Sequence, residues 1–322
     1  MKKKLIIAAF AAAAFVACDD VLKESETAGE ASVQLEVSLP DEAMTRISGS
    51  SSEDAVTGLQ VFIFDETGSL EAYGTAGAAT LSLDCFPGKK KVVALVNAPG
   101  LSGISSYTDL TGTRSLLSDN AAGSLVMEGE KEVTLTSSTS VTVPVSRIAS
   151  RISISSITNA FALEYHKNMT FSLVSVYMIN VAGNRNYLTD SAPTTWYNKM
   201  KNTSDLPAIL YESLGNTTLK SASTYSEAHY FYCYPNHTTA DYNDGTWQPR
   251  HTRLVVEAKL GTETYYYPVT LPEVDQNTAY DITLKITRPG SDSPDKPVET
   301  DAVEVTVQVV DWIDGADINE VI

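Results

Sequence analysis

Two residues in this sequence offer chemistry through their position. Arg46 is the one Lys or Arg between Lys23 and Lys89, set in the small and acidic run DEAMTRISGSSSED. A trypsin-like protease needs a basic side chain in an exposed, locally unfoldable segment, so cleavage between Arg46 and Ile47 is the chemistry available there. Cys18 offers another. It closes the apolar run LIIAAFAAAAFVA behind Lys2, Lys3 and Lys4, which is a secretory leader too short for a stable membrane span. FVAC has the form of a lipobox, in which the cysteine takes the lipid and becomes the mature N-terminus, with Phe15 where leucine is usual.

Enzyme chemistry finds no constellation. His166, His229, His237 and His251 form no HxH, HxxxH or HExxH pair, and there is no GxSxG elbow, P-loop or GxGxxG. His229 and His237 read as surface imidazoles flanking a YFYCYP strand. DWIDGADINE (311–320) lacks the Gly and Glu positions of a calcium loop, and DYNDG (241–245) reads as a turn. No metal, cofactor or catalytic residue is expected, and the chain is read as a non-enzyme. Cys85 and Cys233 are the cysteines left after Cys18; an exported location permits a disulfide, but two single buried thiols are the preferred reading. The net charge of −17 becomes −20 when the leader's three lysines are removed, which argues against nucleic-acid binding.

The elements that position these residues are strands. LQVFIFD (59–65), KVVALVNA (91–98), VTVPVSRI (141–148), RISISSI (151–157), TFSLVSVYMIN (170–180), TRLVVEAKL (252–260) and AYDITLKIT (279–287) are rich in β-branched and aromatic residues between Gly, Pro, Asn, Asp and Ser clusters, the signature of an all-β sandwich architecture. KLGTETYYY predicts a hairpin turning at Gly261-Thr262. Only 106–121 predicts a short helix. A division near residue 145 separates two groups of strands, the second containing a long, strand-poor excursion from Asn184 to Tyr225. The expected segments are a leader (1–18), a tether with a cleavable strand (19–46), a first sandwich (47–145) and a second (146–322). No internal repeat of fixed short period is visible.

The two ends of the mature chain are the most informative. Val33, Leu35, Val37 and Leu39 alternate with Gln34, Glu36 and Ser38, a half-buried strand closed by Pro40. Val303, Val305, Val307 and Val309 alternate with Glu304, Thr306 and Gln308 in the last strand, behind the Pro-rich linker TRPGSDSPDKPVETD (287–301), which reads as a semi-stiff arm hard to fold into the body. Cutting after Arg46 detaches the first strand and bares a groove of apolar side chains and unpaired backbone. A strand lent by a neighbour could refill it. Four buried valines give on the order of 6–12 kcal/mol of gross burial, and each ladder hydrogen bond adds about 1 kcal/mol.

These features, in their order along the chain, resemble the fimbrillins, subunits of the protease-assembled (type V) pili of Bacteroidales. The matching features are the signal ending at Cys18, the early strand with Thr45-Arg46, LQVFIFDETGSLEAY, KVVALVNAPG, VSRIASRISI, YFYCYPN, RLVVEAKL with TYYYPVTLP, and VEVTVQVVDW. The resemblance implies two transthyretin-like (Greek-key) β-sandwich domains in tandem. It further implies export to the outer membrane surface as a lipoprotein with palmitate on Cys18, cleavage by an arginine-specific protease, and polymerisation by donor-strand exchange with other copies and related pilins, supporting adhesion. Carried onto this sequence, Arg46 and Ile47 flank the cut, Val33 to Leu39 are the plug, and Val303 to Val309 are the donor. Acidic residues after Cys18 fit a surface-export tag, and Asp190-Ser191-Ala192 resembles a short O-glycosylation motif of Bacteroidetes. A stalk or accessory subunit fits best, with tip or anchor subunit as alternatives. A competing class is a monomeric surface lipoprotein binding a host protein or glycan through Trp196, Tyr197, Tyr211, Tyr225 and Trp247.

Overall fold

A computed structural model describes residues 32–40, 53–239, 246–271, 273–298 and 303–311. Strands account for nearly all of the regular structure. Seven make a first sandwich: β1 (Val33–Ser38), β2 (Leu59–Phe64), β3 (Leu70–Ala76), β4 (Thr80–Cys85), β5 (Gly88–Val96), β6 (Met127–Leu135) and β7 (Thr139–Thr142). One sheet runs β4-β1-β7 and the other β3-β2-β5-β6, with Ser146–Arg147 pairing beyond β6.

The next seven repeat that wiring strand for strand. They are β8 (Ser150–Asn159), β9 (Phe171–Ile179), β10 (Tyr211–Thr218), β11 (His229–Cys233), β12 (Thr252–Leu260), β13 (Glu263–Leu271) and β14 (Thr278–Ile286). Their sheets run β11-β8-β14 and β10-β9-β12-β13. Each opening strand lies between an antiparallel and a parallel partner: β1 between β4 and β7, β8 between β11 and β14. The last strand, β15 (Val303–Asp311), pairs antiparallel with β14 and has no counterpart in the first sandwich among the described residues.

Period-2 alternation decides what each face buries. In β2 and β5, Val61, Ile63, Val92 and Ala94 face the first-sandwich core that β1 completes. Phe62, Phe64, Val93 and Leu95 turn the other way into a core continuous with the second sandwich. A sheet covered on both faces reads as an unbroken apolar run, as LQVFIF and KVVALV do. Where the chain crosses between the sandwiches, Pro144 lies on Gly129; a Cβ there would collide with the Pro144 carbonyl.

A helix does form at Tyr107–Gly112, capped by Ser106 Oγ accepting from the Asp109 amide at 3.1 Å. One-turn helices at Glu164–Lys167 and Pro207–Leu210 are additions to the single helix expected, too short to show a period. The hairpin turns at Gly261, with φ +63° and Leu260 opposite Glu263. The excursion from 184 to 225 is not strand-poor. It contains β10, which pairs with β9 through a bulge and supplies the counterpart of β3.

Candidate strand-exchange site

The first sandwich is built around β1. Val33 faces Cys85, Leu35 faces Leu83 and Val37 faces Leu81 across the β4 ladder, while Leu35 to Ser38 run alongside Thr139 to Thr142 of β7. Alternation sends Val33, Leu35, Val37 and Leu39 inward, at 9, 0, 0 and 8% exposure, and leaves Gln34 and Glu36 in solvent. Backbone bonds extend the strand at its ends: the Leu39 amide donates to the Ala79 carbonyl at 3.0 Å, and the Val143 amide to the Ser38 carbonyl at 2.9 Å. Among the described residues β1 is the only strand with which β4 or β7 pairs. Removing it would part the two and leave an apolar trough.

Arg46 and Ile47, like Cys18, lie outside the described residues. Glu53 and Asp54, the first described residues beyond them, are firmly held. Glu53 is 3% exposed; one carboxylate oxygen accepts from Arg151 Nη1 at 2.9 Å and the other from the Tyr232 hydroxyl at 2.5 Å. Asp54 pairs with Arg147. Burial, then the bond to Glu53, push the Tyr232 phenol well above its usual pKa, so it stays a donor. The two arginines of VSRIASRISI thus tie Glu53 and Asp54 to the junction of the sandwiches.

At the other end, β15 lies on the sheet edge with Val303 opposite Ile286 and Asp311 opposite Thr278. Val303, Val305, Val307 and Val309 are half-buried and pack against the second core. Glu304 meets Lys285 in an exposed pair at 2.8 Å, a contact worth little. The first and last strands therefore share a binary pattern but differ in burial: β1 is enclosed between two strands and β15 leans on one.

The linker before β15 corrects the sequence reading. It is fastened to the body. Ser291 and Tyr266 exchange both backbone bonds at 2.8 and 2.9 Å, and Gly290 lies so close to the Tyr266 carbonyl that a Cβ would not fit. Asp295 is 1% exposed. It accepts from Arg250 Nη1 at 2.7 Å, Asn180 Nδ2 at 2.7 Å and Arg253 Nε at 3.4 Å, all fully buried groups. A buried carboxylate needs partners of this kind, and they override the linker's polar composition.

The remaining candidates disperse. Cys85 and Cys233 are free and buried; burial raises both thiols, Cys233 to about 12, so neither is a thiolate at neutral pH. His229 is not on the surface: at 4% exposure it bridges Glu212 and Tyr225 at 3.0 and 2.9 Å. His237 is exposed, with ligand atoms of Glu273 and Asp275 within 4.8 Å of its own, a grouping that no short sequence spacing announces. Of the five aromatics, Trp196 meets Trp247, Tyr211 stacks on Tyr177, Tyr225 stacks on His229, and Tyr197 packs against the larger core.

Residues 31–205 match the model of the major fimbrial subunit protein family (FimA). The chain belongs to that family. Its fold is shared with a candidate cell adhesion protein from Bacteroides eggerthii, with TM-score 0.67 at 18% identity over 87% of this chain and 96% of that one. It is also shared with a fimbrilin from Porphyromonas gingivalis W83, with TM-score 0.62 at 17% identity over 88% and 98%. The C-terminally truncated tip fimbrial protein Mfa3 of Porphyromonas gingivalis gives TM-score 0.53 at 15% identity over 88% and 100%. No curated protein matches significantly. This fimbrial chain is thus a pilus subunit of a structural, cell-surface family with tandem β-sandwiches.

Proposed function

We propose that this fimbrial subunit is a stalk or accessory pilin of a type V pilus that polymerises by exchanging β1 for the last strand of another copy. In this reading the precursor reaches the outer membrane as a lipoprotein on Cys18, and an arginine-specific protease cuts between Arg46 and Ile47. Residues 19–46 depart with β1. Val303, Val305, Val307 and Val309 of a second copy then fill the places of Val33, Leu35, Val37 and Leu39, and the polymer supports adhesion.

One observation carries this reading: β1 is the middle strand of β4-β1-β7 and, with Leu39 just after it, gives four buried side chains to the core. No stable trough can stand empty in water, so loss of β1 creates demand for a strand of the same pattern. β15 is surplus to the seven-strand wiring and paired on one side, so lending it leaves the second sandwich's seven strands in place. Strand addition of this kind gives affinity through main-chain bonds and specificity through alternate side chains.

The test is brief treatment of purified precursor with an arginine-specific protease, followed by N-terminal sequencing and a denaturing gel without heating. A new terminus at Ile47 and an SDS-resistant ladder are expected, both absent in Arg46→Ala. Complete cutting with no ladder under assembly conditions would refute the polymerisation step.

A further inference from the structure

β15 and the trough each have one end at which exposed apolar side chains stand without cover, and strand exchange would bring those ends together. At the root of β15, Val303 pairs with Ile286. The segment packed on that same end is 160–167: the Ala160 amide donates to the Ile286 carbonyl at 2.8 Å and the Ala162 amide to the Thr287 carbonyl at 3.0 Å. This segment carries Leu163 at 58% and Tyr165 at 73% exposure, and Tyr165 is the most exposed of the large hydrophobic residues among those described. In the acceptor, the trough end at Val33 lies opposite Cys85, and the next residue is Phe86, 47% exposed.

We infer that Leu163 and Tyr165 of one subunit dock on Phe86 of the next, forming a second contact beside the exchanged strand. The inference rests on the exchange proposed above. A strand that takes β1's place with β1's direction, parallel to β7 as β14 is to β8, puts Val303 where Val33 was. The lender's chain then leaves the trough beside Phe86. Its body cannot be far off. The strap holds Ser291 and Asp295, and Val298 lines a cavity of about 390 Å³ together with Arg288 and Pro289. The five steps from Val298 to Val303 span at most about 17 Å. Arg288 follows Thr287, to which Ala162 is bonded, so the short tether holds the Leu163–Tyr165 knob at the mouth that Phe86 rims. Three apolar side chains scattered singly would need no explanation; these stand at the two ends that one strand joins. The partner that fits is a second copy of this chain.

The test uses two populations of full-length precursor, each with Cys18→Ser, Cys85→Ser and Cys233→Ser, one adding Tyr165→Cys and the other Phe86→Cys. Equal melting temperatures against the parent establish that both fold. They are cleaved, polymerised together and treated with a short bismaleimide. A second pair, Ser82→Cys with Thr306→Cys, reports the exchanged strand itself, because Ser82 faces Glu36, whose place Thr306 would take. Cross-linked dimers from both pairs in polymer, and from neither in uncut protein, are expected. In separate protein, Leu163→Ser with Tyr165→Ser should keep the ladder but speed its dissociation about tenfold. A Ser82–Thr306 cross-link without a Tyr165–Phe86 cross-link overturns the docking surface and leaves strand exchange standing. Absence of both cross-links and of the ladder overturns the exchange and the surface with it.

Discussion

Truncating one apolar side chain in β1 and one in β15 should have opposite consequences before and after assembly. Leu35 is fully buried in the folded precursor, so Leu35→Ala removes its transfer energy and leaves a cavity, a loss of about 2–5 kcal/mol. At roughly 2–4 °C per kcal/mol, the melting temperature of uncut protein (kept uncut by Arg46→Ala) falls by at least several degrees. Val307 is half-buried on an edge strand, so Val307→Ala costs the precursor only about 1 kcal/mol. On the proposed exchange the positions reverse. With β1 gone, Leu35→Ala should leave the polymer unchanged. Val307 would occupy the fully buried place of Val37, where losing two methyl groups should cost about 2 kcal/mol and speed dissociation roughly thirtyfold. The assays are calorimetry on the uncut variants and gel-resolved ladder dissociation on the cut ones. A polymer made from Leu35→Ala that dissociates as early as its precursor melts would show that β1 remains in the assembled subunit, and the reasoning would be wrong.

Three further outcomes concern the scaffold. Asp295→Ala deprives buried Arg250 and Arg253 of this carboxylate and should cost about 3–5 kcal/mol, read from urea denaturation; a change within 0.5 kcal/mol would show the clasp to be incidental. Gly129→Ala must push Pro144 away and should destabilise by roughly 1–3 kcal/mol, while an unchanged melting point would contradict the tight crossing. Asp109 is held below the usual carboxylate range first by the Ser105 hydroxyl, then by backbone and Ser106 bonds. A depressed folded value stabilises above the unfolded pKa and is lost as pH falls through the folded one, so Asp109→Asn should weaken the protein at neutral pH and converge with wild type in acid. A constant difference from pH 7 to pH 2 would sink that assignment.

The strands were legible because alternation and continuous apolar runs follow directly from faces that are half or wholly covered. VQLEVSL and VEVTVQV announced themselves in this way, and LQVFIF read as a strand from its β-branched and aromatic residues; that both its faces are covered appears only in the fold. The fourteen-strand repetition was not legible. It lies in the pairing of strands, and the sequences of β1 and β8 share a place in the wiring without sharing residues. Asp295 was hidden for a different reason: in SDSPDKP it looks like solvated linker, and only the arrival of Arg250, just before β12, and Arg253, within it, makes its burial tolerable. Glu53 was hidden likewise, in the acidic run whose one basic residue drew attention. The arginines of VSRIASRISI and of the RHTR preceding β12's apolar run were the available signal. Cations at the mouths of buried strands require carboxylates from elsewhere, though sequence does not say from where.

Departure of β1 is the event on which the functional reading depends, and Cys85 can report it. Its thiol is 3% exposed and lies opposite Val33, whereas Cys233 is sealed in the second core. With Cys18 replaced by Ser, maleimide labelling followed by peptide mapping should find Cys85 silent in the precursor. It should be reactive once the fragment ending at Arg46 has been separated off, and silent again in the ladder, with Cys233 silent throughout. A Cys85 that stays protected after that fragment is gone would mean that no trough opens, and strand exchange at this site would be excluded.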